Sequence, residues 1–161
     1  MRLALYQPDI PPNTGTILRL CACLEIGVDI IEPCGFALGD RAFRRAGLDY
    51  LDSVSLRRHP SWAAYRSAFR GRLVLLTTRA SGAYTAFSFH AADTIMLGRE
   101  SAGVPAEVHA AADARIVIPM RAGARSLNVA VAAAMALGEA LRQTAQFPAV
   151  NEPRPASEAR A

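Results

Sequence analysis

Residues 118–143 read IPMRAGARSLNVAVAAAMALGEALRQ. The stretch opens like the end of a strand, passes through Arg121, Gly123 and Arg125, and turns into an Ala- and Val-rich run at Ser126-Leu127-Asn128. Ser and Asn start helices because their side chains accept hydrogen bonds from the first unpaired backbone N–H groups. The helix that follows is apolar on almost every side, so burial is expected for it rather than a solvated outer face. A strand that feeds a loop and then a buried helix is the repeating unit of α/β folds.

The same alternation recurs upstream. RLALY (2–6) alternates and stops at a Pro-rich turn, which predicts a first strand. PPNTGTILRLCACLEIG (11–27) carries apolar residues at helical spacing, with Asn13 or Thr14 able to cap it and Gly27 to stop it. VDIIEP (28–33) predicts a second strand, GDRAFRRAG (39–47) a short basic helix and DSVSLR (52–57) a third strand. PSWAAYRSAFRG (60–71) predicts a helix, RLVLLTT (72–78) a strand, and AYTAFSF (83–89) fits neither pattern. DTIMLG (93–98) predicts a strand, VPAEVHAAA (104–112) a short helix, and ARIVIPM (114–120) the strand before the final helix, which should begin near Ser126. Strands alternating with helices imply an α/β layer fold with a mostly parallel sheet flanked by helices. Residues 147–161, FPAVNEPRPASEARA, hold three prolines and no apolar period. The expected organisation is one domain over 1–147 and a disordered tail over 148–161.

Composition narrows the function. With 52% hydrophobic and 20% charged residues, the 161-residue chain can bury a substantial core. Its longest apolar run is Ala-rich and interrupted by Gly138 and Glu139, too short for a membrane span. Pro8 interrupts the N-terminal segment before the apolar region of a signal peptide develops, so a cytoplasmic location and no membrane partner are expected. Cys21, Cys23 and Cys34 form neither a disulfide framework nor a metal or redox spacing, and read as buried free thiols. Net charge is +4, and the basic residues, arginines, cluster at 41, 44 and 45, at 57 and 58, and at 66, 70 and 72. Guanidinium forks suit phosphate, so nucleic acid is one expected partner class; a solvated basic surface is the other reading.

Three segments at expected strand ends carry the polar groups: PPNTGTILR (11–19), LGRESAGVP (97–105) and IPMRAGARSLN (118–128). None is a phosphate loop or a dinucleotide turn. Ligands of open parallel sheets lie beyond the carboxyl ends of the strands, so the three segments make one site if their strands are neighbours. Gly98 allows the backbone to turn out of a buried strand and approach a ligand closely. Taken singly, Glu100 is a loop carboxylate, Asn13 an N-cap, and Ser126 and Asn128 helix-start residues. Arg19 sits between Leu18 and Leu20, where it either reaches outward or sets a permanent positive charge in a cleft. His59, His90 and His109 are scattered and form no triad or metal spacing.

Read together and in order, YQPDIPPNTGTILRLCA (6–22), IIEPCGF (30–36), RRAGLDY (44–50), LGRESAGVP (97–105) and IPMRAGARSLNVAVA resemble the SPOUT superfamily of S-adenosylmethionine-dependent RNA ribose 2′-O-methyltransferases. RRAGLDY makes the chain most similar to the branch that modifies cytidine or uridine at the wobble position, residue 34 of tRNA. The resemblance implies a sheet with a C-terminal trefoil knot, S-adenosylmethionine as cosubstrate, the tRNA anticodon stem-loop as substrate, and a homodimer whose site is completed across the interface. It implies a cosubstrate site at Leu76, Gly98, Ile118, Met120, Ser126 and Leu127. Catalytic positions would be Asn13, Arg19, Glu100, Ser126 and Asn128. Ala130 and Val131 stand where some relatives carry polar side chains. No metal is required. A guanidinium is essentially always protonated, so Arg19 suits an electrostatic clamp better than a base, and Glu100 or water would accept the hydroxyl proton. Two alternatives remain: a 2′-O-methyltransferase of another tRNA or rRNA position, and a non-catalytic RNA-binding module.

Overall fold

The computed structural model describes residues 1–37 and 54–150. In chain order these form β1 (Arg2–Tyr6), α1 (Pro11–Cys23), β2 (Gly27–Ile31), β3 (Leu56–His59), α2 (Trp62–Ala68), β4 (Leu73–Leu76), a 3₁₀ turn (Tyr84–Ala86), β5 (Thr94–Leu97), α3 (Ala106–Ala111), β6 (Ala114–Ile116) and α4 (Val129–Thr144). The expected basic helix at 39–47, the motif at 44–50 and most of the expected tail, 151–161, lie outside the described residues.

The strands make one six-stranded sheet in the order β3-β2-β1-β5-β4-β6, and every pairing is parallel. The expected parallel sheet is therefore observed. Both faces are covered, which is why the strands read as nearly continuous apolar runs. Leu3, Leu5, Val28, Ile30, Ile95 and Leu97 point to the side of α1 and α4. Ala4, Tyr6, Ile31, Leu73, Leu75 and Met96 point to the other, where Tyr65 of α2 and Val108 of α3 close over them. One buried carboxylate interrupts this second face. Asp29 accepts from Arg2 Nε at 2.6 Å and pairs with His59 Nε2 at 2.7 Å, tying β1, β2 and β3 together. The Arg2 guanidinium fills the space where a Cβ on Gly27 would stand.

Several expected boundaries move, each for a local reason. α1 begins at Pro11, two residues before the expected cap, with Ile10 as an N-cap residue that makes no side-chain capping bond. Proline's fixed φ suits the first helical position and its missing N–H costs nothing there. Asn13 thus lies inside the first turn and its side chain is released for other contacts. At the other end the helix stops at Cys23, before Gly27; Glu25 takes the left-handed conformation (φ 56°), and the Ile26 N–H donates back to the Cys21 carbonyl at 2.8 Å. The third strand runs over Leu56–His59, later than expected, and α2 is capped by Ser61, whose Oγ accepts from the Ala64 N–H at 3.1 Å. α4 begins at Val129, three residues after Ser126.

The burial of α4 is one-sided. Ala130, Ala133, Ala136, Leu137, Ala140 and Leu141 face the sheet and α1, whereas Val131 and Met135 are exposed. The thiols likewise differ from one another. Cys21 is buried, and burial pushes its thiol up to about 12, but Cys23 is exposed and Cys34 half-buried. No helix among the described residues is long and apolar enough to cross a membrane.

Candidate active site

The strand order reverses between β1 and β5: β2 and β3 lie on one side of this pair, β4 and β6 on the other. Loops leaving neighbouring strands in opposite directions open a crevice at such a point. A cavity of about 410 Å³ occupies the carboxyl end of the sheet there. Its wall comes from Asn13 of α1, from Leu76–Thr78 after β4, from Leu97–Glu100 after β5, and from the loop between β6 and α4. The volume suits a cofactor-sized ligand.

All six expected cosubstrate positions, Leu76, Gly98, Ile118, Met120, Ser126 and Leu127, line this cavity. So do Asn13, Glu100 and Asn128. Arg19 does not. It is exposed on α1, about 120° around the helix from Asn13 at 3.6 residues per turn. Pro12 and Thr16, which share the Arg19 side of α1 at helical spacing, are exposed as well. Ile10 and Leu127 at the cavity, and Val131 and Met135 of α4, are exposed apolar residues.

Three of the expected residues form a chain of hydrogen bonds between three segments. Asn13 Nδ2 donates to Glu100 Oε1 at 3.2 Å, and Asn128 Nδ2 donates to Asn13 Oδ1 at 3.0 Å. Asn128 is at the same time the N-cap of α4: its Oδ1 accepts from the N–H groups of Ala130 and Val131, at 2.9 and 3.3 Å. The capping role and the site role thus belong to the two ends of one amide. An Asn can do both, because it carries an acceptor and two donors.

Asp9 completes the arrangement. Its backbone N–H donates to Glu100 Oε2 and the Glu100 N–H donates back to Asp9 Oδ1, both at 3.1 Å. The Ser101 hydroxyl donates to Asp9 Oδ2. The hydrogen bond to Glu100 leads the effects that pull the Asp9 carboxyl down to about 2, against its partial burial. Glu100 moves the other way: burial raises it most, and the neighbouring Asp9 carboxyl adds to the rise. Two carboxyl groups with opposite shifts side by side are suited to holding and passing a proton. Asp9 was not among the expected site residues. The available signal was an acid in the Pro-rich turn QPDIPPN directly after a strand, but a turn aspartate ordinarily satisfies its own backbone.

The Gly98 loop closes on itself. Arg99 and Gly103 exchange backbone hydrogen bonds at 3.0 and 2.8 Å, and Gly103 has φ +68°. A Cβ on Gly98 would stand 2.6 Å from the Gly103 carbonyl carbon and 2.8 Å from its Cα. The glycine is thus required by the loop's own return path, in addition to the expected approach to a ligand. The loop holding Met120, Ser126 and Leu127 is poorly bonded to itself by contrast. Among the described residues its one internal backbone hydrogen bond runs from Ala124 N–H to the Arg121 carbonyl, at 3.2 Å. Its remaining backbone groups are left for water or a ligand.

No cluster of His, Cys, Asp and Glu among the described residues is arranged to hold a metal ion. An apolar floor of Leu76, Leu97, Ile118 and Met120, a rim of backbone and amide groups, and a carboxyl pair at one wall suit an organic cosubstrate with an aromatic base and a polar tail.

The chain is similar to known proteins in sequence and in fold. The chain is 65% identical over 144 residues to the tRNA (cytidine(34)-2′-O)-methyltransferase of Beijerinckia indica, covering 88% of this chain and 90% of that one. A solved structure described as giving insights into the 2-OH methylation of C/U34 on tRNA superposes with a TM-score of 0.84 at 42% identity, over 88% of this chain and 94% of the other. The SpoU methyltransferase AviRb from Streptomyces viridochromogenes, solved with the cofactor AdoMet, superposes with a TM-score of 0.78 at 28% identity, over 89% of this chain and 60% of that one. Residues 1–138 match the SpoU rRNA methylase family, and the chain belongs to that family.

Proposed function

We propose that the protein is a tRNA (cytidine(34)-2′-O)-methyltransferase, which transfers a methyl group from S-adenosylmethionine to the ribose 2′-hydroxyl of cytidine or uridine 34 in the anticodon loop. The observation that carries the reading is the Asn128–Asn13–Glu100 chain at the mouth of the cavity, in a protein whose relative at 65% identity has this activity.

S-adenosylmethionine supplies an electrophilic methyl group. Leu76, Gly98, Ile118, Met120, Ser126 and Leu127 would hold it, the leucines, Ile118 and Met120 against its base and the loop backbone groups through hydrogen bonds. The chain's own residues then orient the hydroxyl, since a displacement in line needs the nucleophile fixed in direction as well as in place. Asn13, clamped between Glu100 and Asn128, has little rotational freedom left and presents a fixed amide to the ribose. Glu100 receives the hydroxyl proton or passes it to water; its raised pKa brings it nearer to neutrality, where a carboxylate is a more effective base. Arg121 and Arg125, exposed on the loop before α4, offer phosphate contacts.

The active form is a homodimer. Ile10, Leu127, Val131 and Met135 are each 37–50% exposed, and they run from the cavity mouth along α4. Covering these exposed apolar side chains supplies a hydrophobic drive to associate. Arg19 is exposed on α1 and is not among the residues lining the cavity of its own chain, so it would serve the site of the second copy, as a clamp on phosphate and on developing oxyanion charge. A C-terminal trefoil knot belongs to this reading of the fold, and a cytoplasmic location to an enzyme of tRNA.

The test is incubation with bulk tRNA and methyl-labelled S-adenosylmethionine, followed by nuclease mapping. Label at the ribose of nucleotide 34 is the expected result. Label at another tRNA position, or in rRNA alone, replaces the substrate; cosubstrate binding with no label in any RNA removes the enzymatic reading.

A further inference from the structure

A second cleft, of about 450 Å³, lies on the far side of the Gly98 loop. It shares Arg99, Gly103 and Val104 with the first cavity, and its other walls include Tyr6, Gln7 and Arg79. Two guanidiniums therefore face one opening, contributed by the turns after β4 and β5.

Among the described residues, Arg79 is exposed and has no ion pair, and Arg99 is held only by long contacts, to Asp9 at 3.7 Å and to Gln7 at 3.4 Å. The Arg99 Nε is shut off from solvent without a hydrogen-bond partner; its nearest carboxylate oxygen, on Asp9, is 3.7 Å away. That carboxylate already accepts from the Glu100 N–H and the Ser101 hydroxyl. Glu107 of α3 is close enough to affect the Tyr6 phenol and is the other acid near the cleft. Gln7 adds a neutral polar group. It holds φ 46°, a conformation that L residues seldom adopt, and its Oε1 accepts weakly from Arg99 Nη1 at 3.4 Å. Behind the cleft the Tyr6 ring meets Trp62 edge-on, with centroids 6.2 Å apart, which makes the wall rigid.

We propose that this cleft is a phosphate subsite: Arg79 and Arg99 bind the RNA backbone next to the nucleotide whose ribose enters the first cavity. The inference rests on the RNA methyltransferase reading. A bound phosphate pairs the exposed part of the Arg99 guanidinium, and Arg79, with a fixed anion. The shared loop couples the two functions, because the residue after Arg99 is Glu100. A strand seated on Arg99 sets the position of the carboxylate that faces the reacting hydroxyl.

The experiment uses Arg79→Ala and Arg79→Lys in the full chain, since Arg79 lies outside the first cavity. Binding of a tRNA transcript is measured against salt concentration, and methylation is followed in parallel. The expected result for Arg79→Ala is roughly tenfold weaker tRNA binding and a log–log salt slope shallower by about one, the loss of one phosphate contact. The rate at saturating tRNA and the affinity for S-adenosylmethionine should stay at wild-type levels. Arg79→Lys should restore the slope, because a point charge displaces a counterion as well as a fork does. Unchanged tRNA affinity and slope in Arg79→Ala would overturn the subsite, while wild-type methylation in the same assay leaves the enzymatic reading standing. Loss of cosubstrate affinity with intact tRNA binding would also overturn it, by assigning the cleft to the carboxylate of S-adenosylmethionine.

Discussion

Gly98→Ala adds one methyl group at the point where β5 hands the chain to the Glu100 loop. The added carbon would lie 2.6, 2.8 and 2.9 Å from three backbone atoms of Gly103. No side-chain rotation relieves this, because the obstacle is main chain. Either Gly98 tilts in a closely packed strand end, or the loop opens and the two bonds between Arg99 and Gly103 are given up. Overpacking of this kind costs about 1–3 kcal/mol, and losing two backbone hydrogen bonds at about 0.5–1.5 kcal/mol each arrives at the same range. A destabilisation of about 2 kcal/mol corresponds to a melting temperature lower by about 4–8 °C for a chain of this size. The assay is thermal unfolding of the protein without cosubstrate, paired with calorimetric titration of S-adenosylmethionine. Both stability and affinity should fall, since the displaced loop carries Glu100 and lines the cavity. If the melting temperature is unchanged while affinity is lost, the methyl group is meeting the ligand rather than Gly103, and the argument from the loop's return path is refuted.

Further substitutions separate roles that share a residue or an interface. Asn128→Ala should lower stability by about 1 kcal/mol through loss of the α4 cap and should slow methylation by freeing Asn13. Asn128→Asp restores the cap but not the Nδ2 donor, so recovery of the melting temperature without recovery of rate is expected; full recovery of both would show that the bond to Asn13 is idle. Arg19→Ala should keep wild-type affinity for S-adenosylmethionine and reduce the single-turnover rate by about a hundredfold. Mixing Arg19→Ala with Glu100→Gln subunits should restore part of that rate, because one site of each mixed dimer then has both groups. An unmixed and a mixed preparation of equal activity would argue against an arginine acting across an interface.

The legible part of the site was the part encoded locally. Gly98, Glu100, Ser126 and Asn128 are polar or small residues at the ends of apolar runs, and a chain leaving a buried strand exposes those positions whatever the partners are. Asn13 was legible as a helix-start residue, yet its cap role fell to the wrong position, because Pro11 and Pro12 begin the helix earlier than a cap-based reading allows. Asp9 and Arg99 were not legible. Each joins the candidate sites through a contact 91 or 92 residues away in the chain, Asp9 with Glu100 and Arg99 with Gln7, and no local pattern records such a meeting. Asp29 is a similar case: it sits in an otherwise apolar strand, and only the arrival of Arg2 and His59 makes its burial tolerable.

By itself, then, the amino-acid order determined the class of fold, since alternating strand and helix periods, both apolar enough to be buried, admit few arrangements besides a parallel sheet covered on both sides. It also determined which stretches end at the carboxyl edge of the sheet, where the cavity lies. Tertiary structure decided the rest. It set β1 beside β5, so that segments as far apart as Asn13 and Glu100 share one crevice. It released the Asn13 side chain toward Glu100 and Asn128, left Arg19 exposed and outside the lining of that crevice, and opened a second, arginine-walled cleft behind the Gly98 loop. Those outcomes depend on strand order and on contacts between distant segments, which arise when buried faces pack and which no local period specifies.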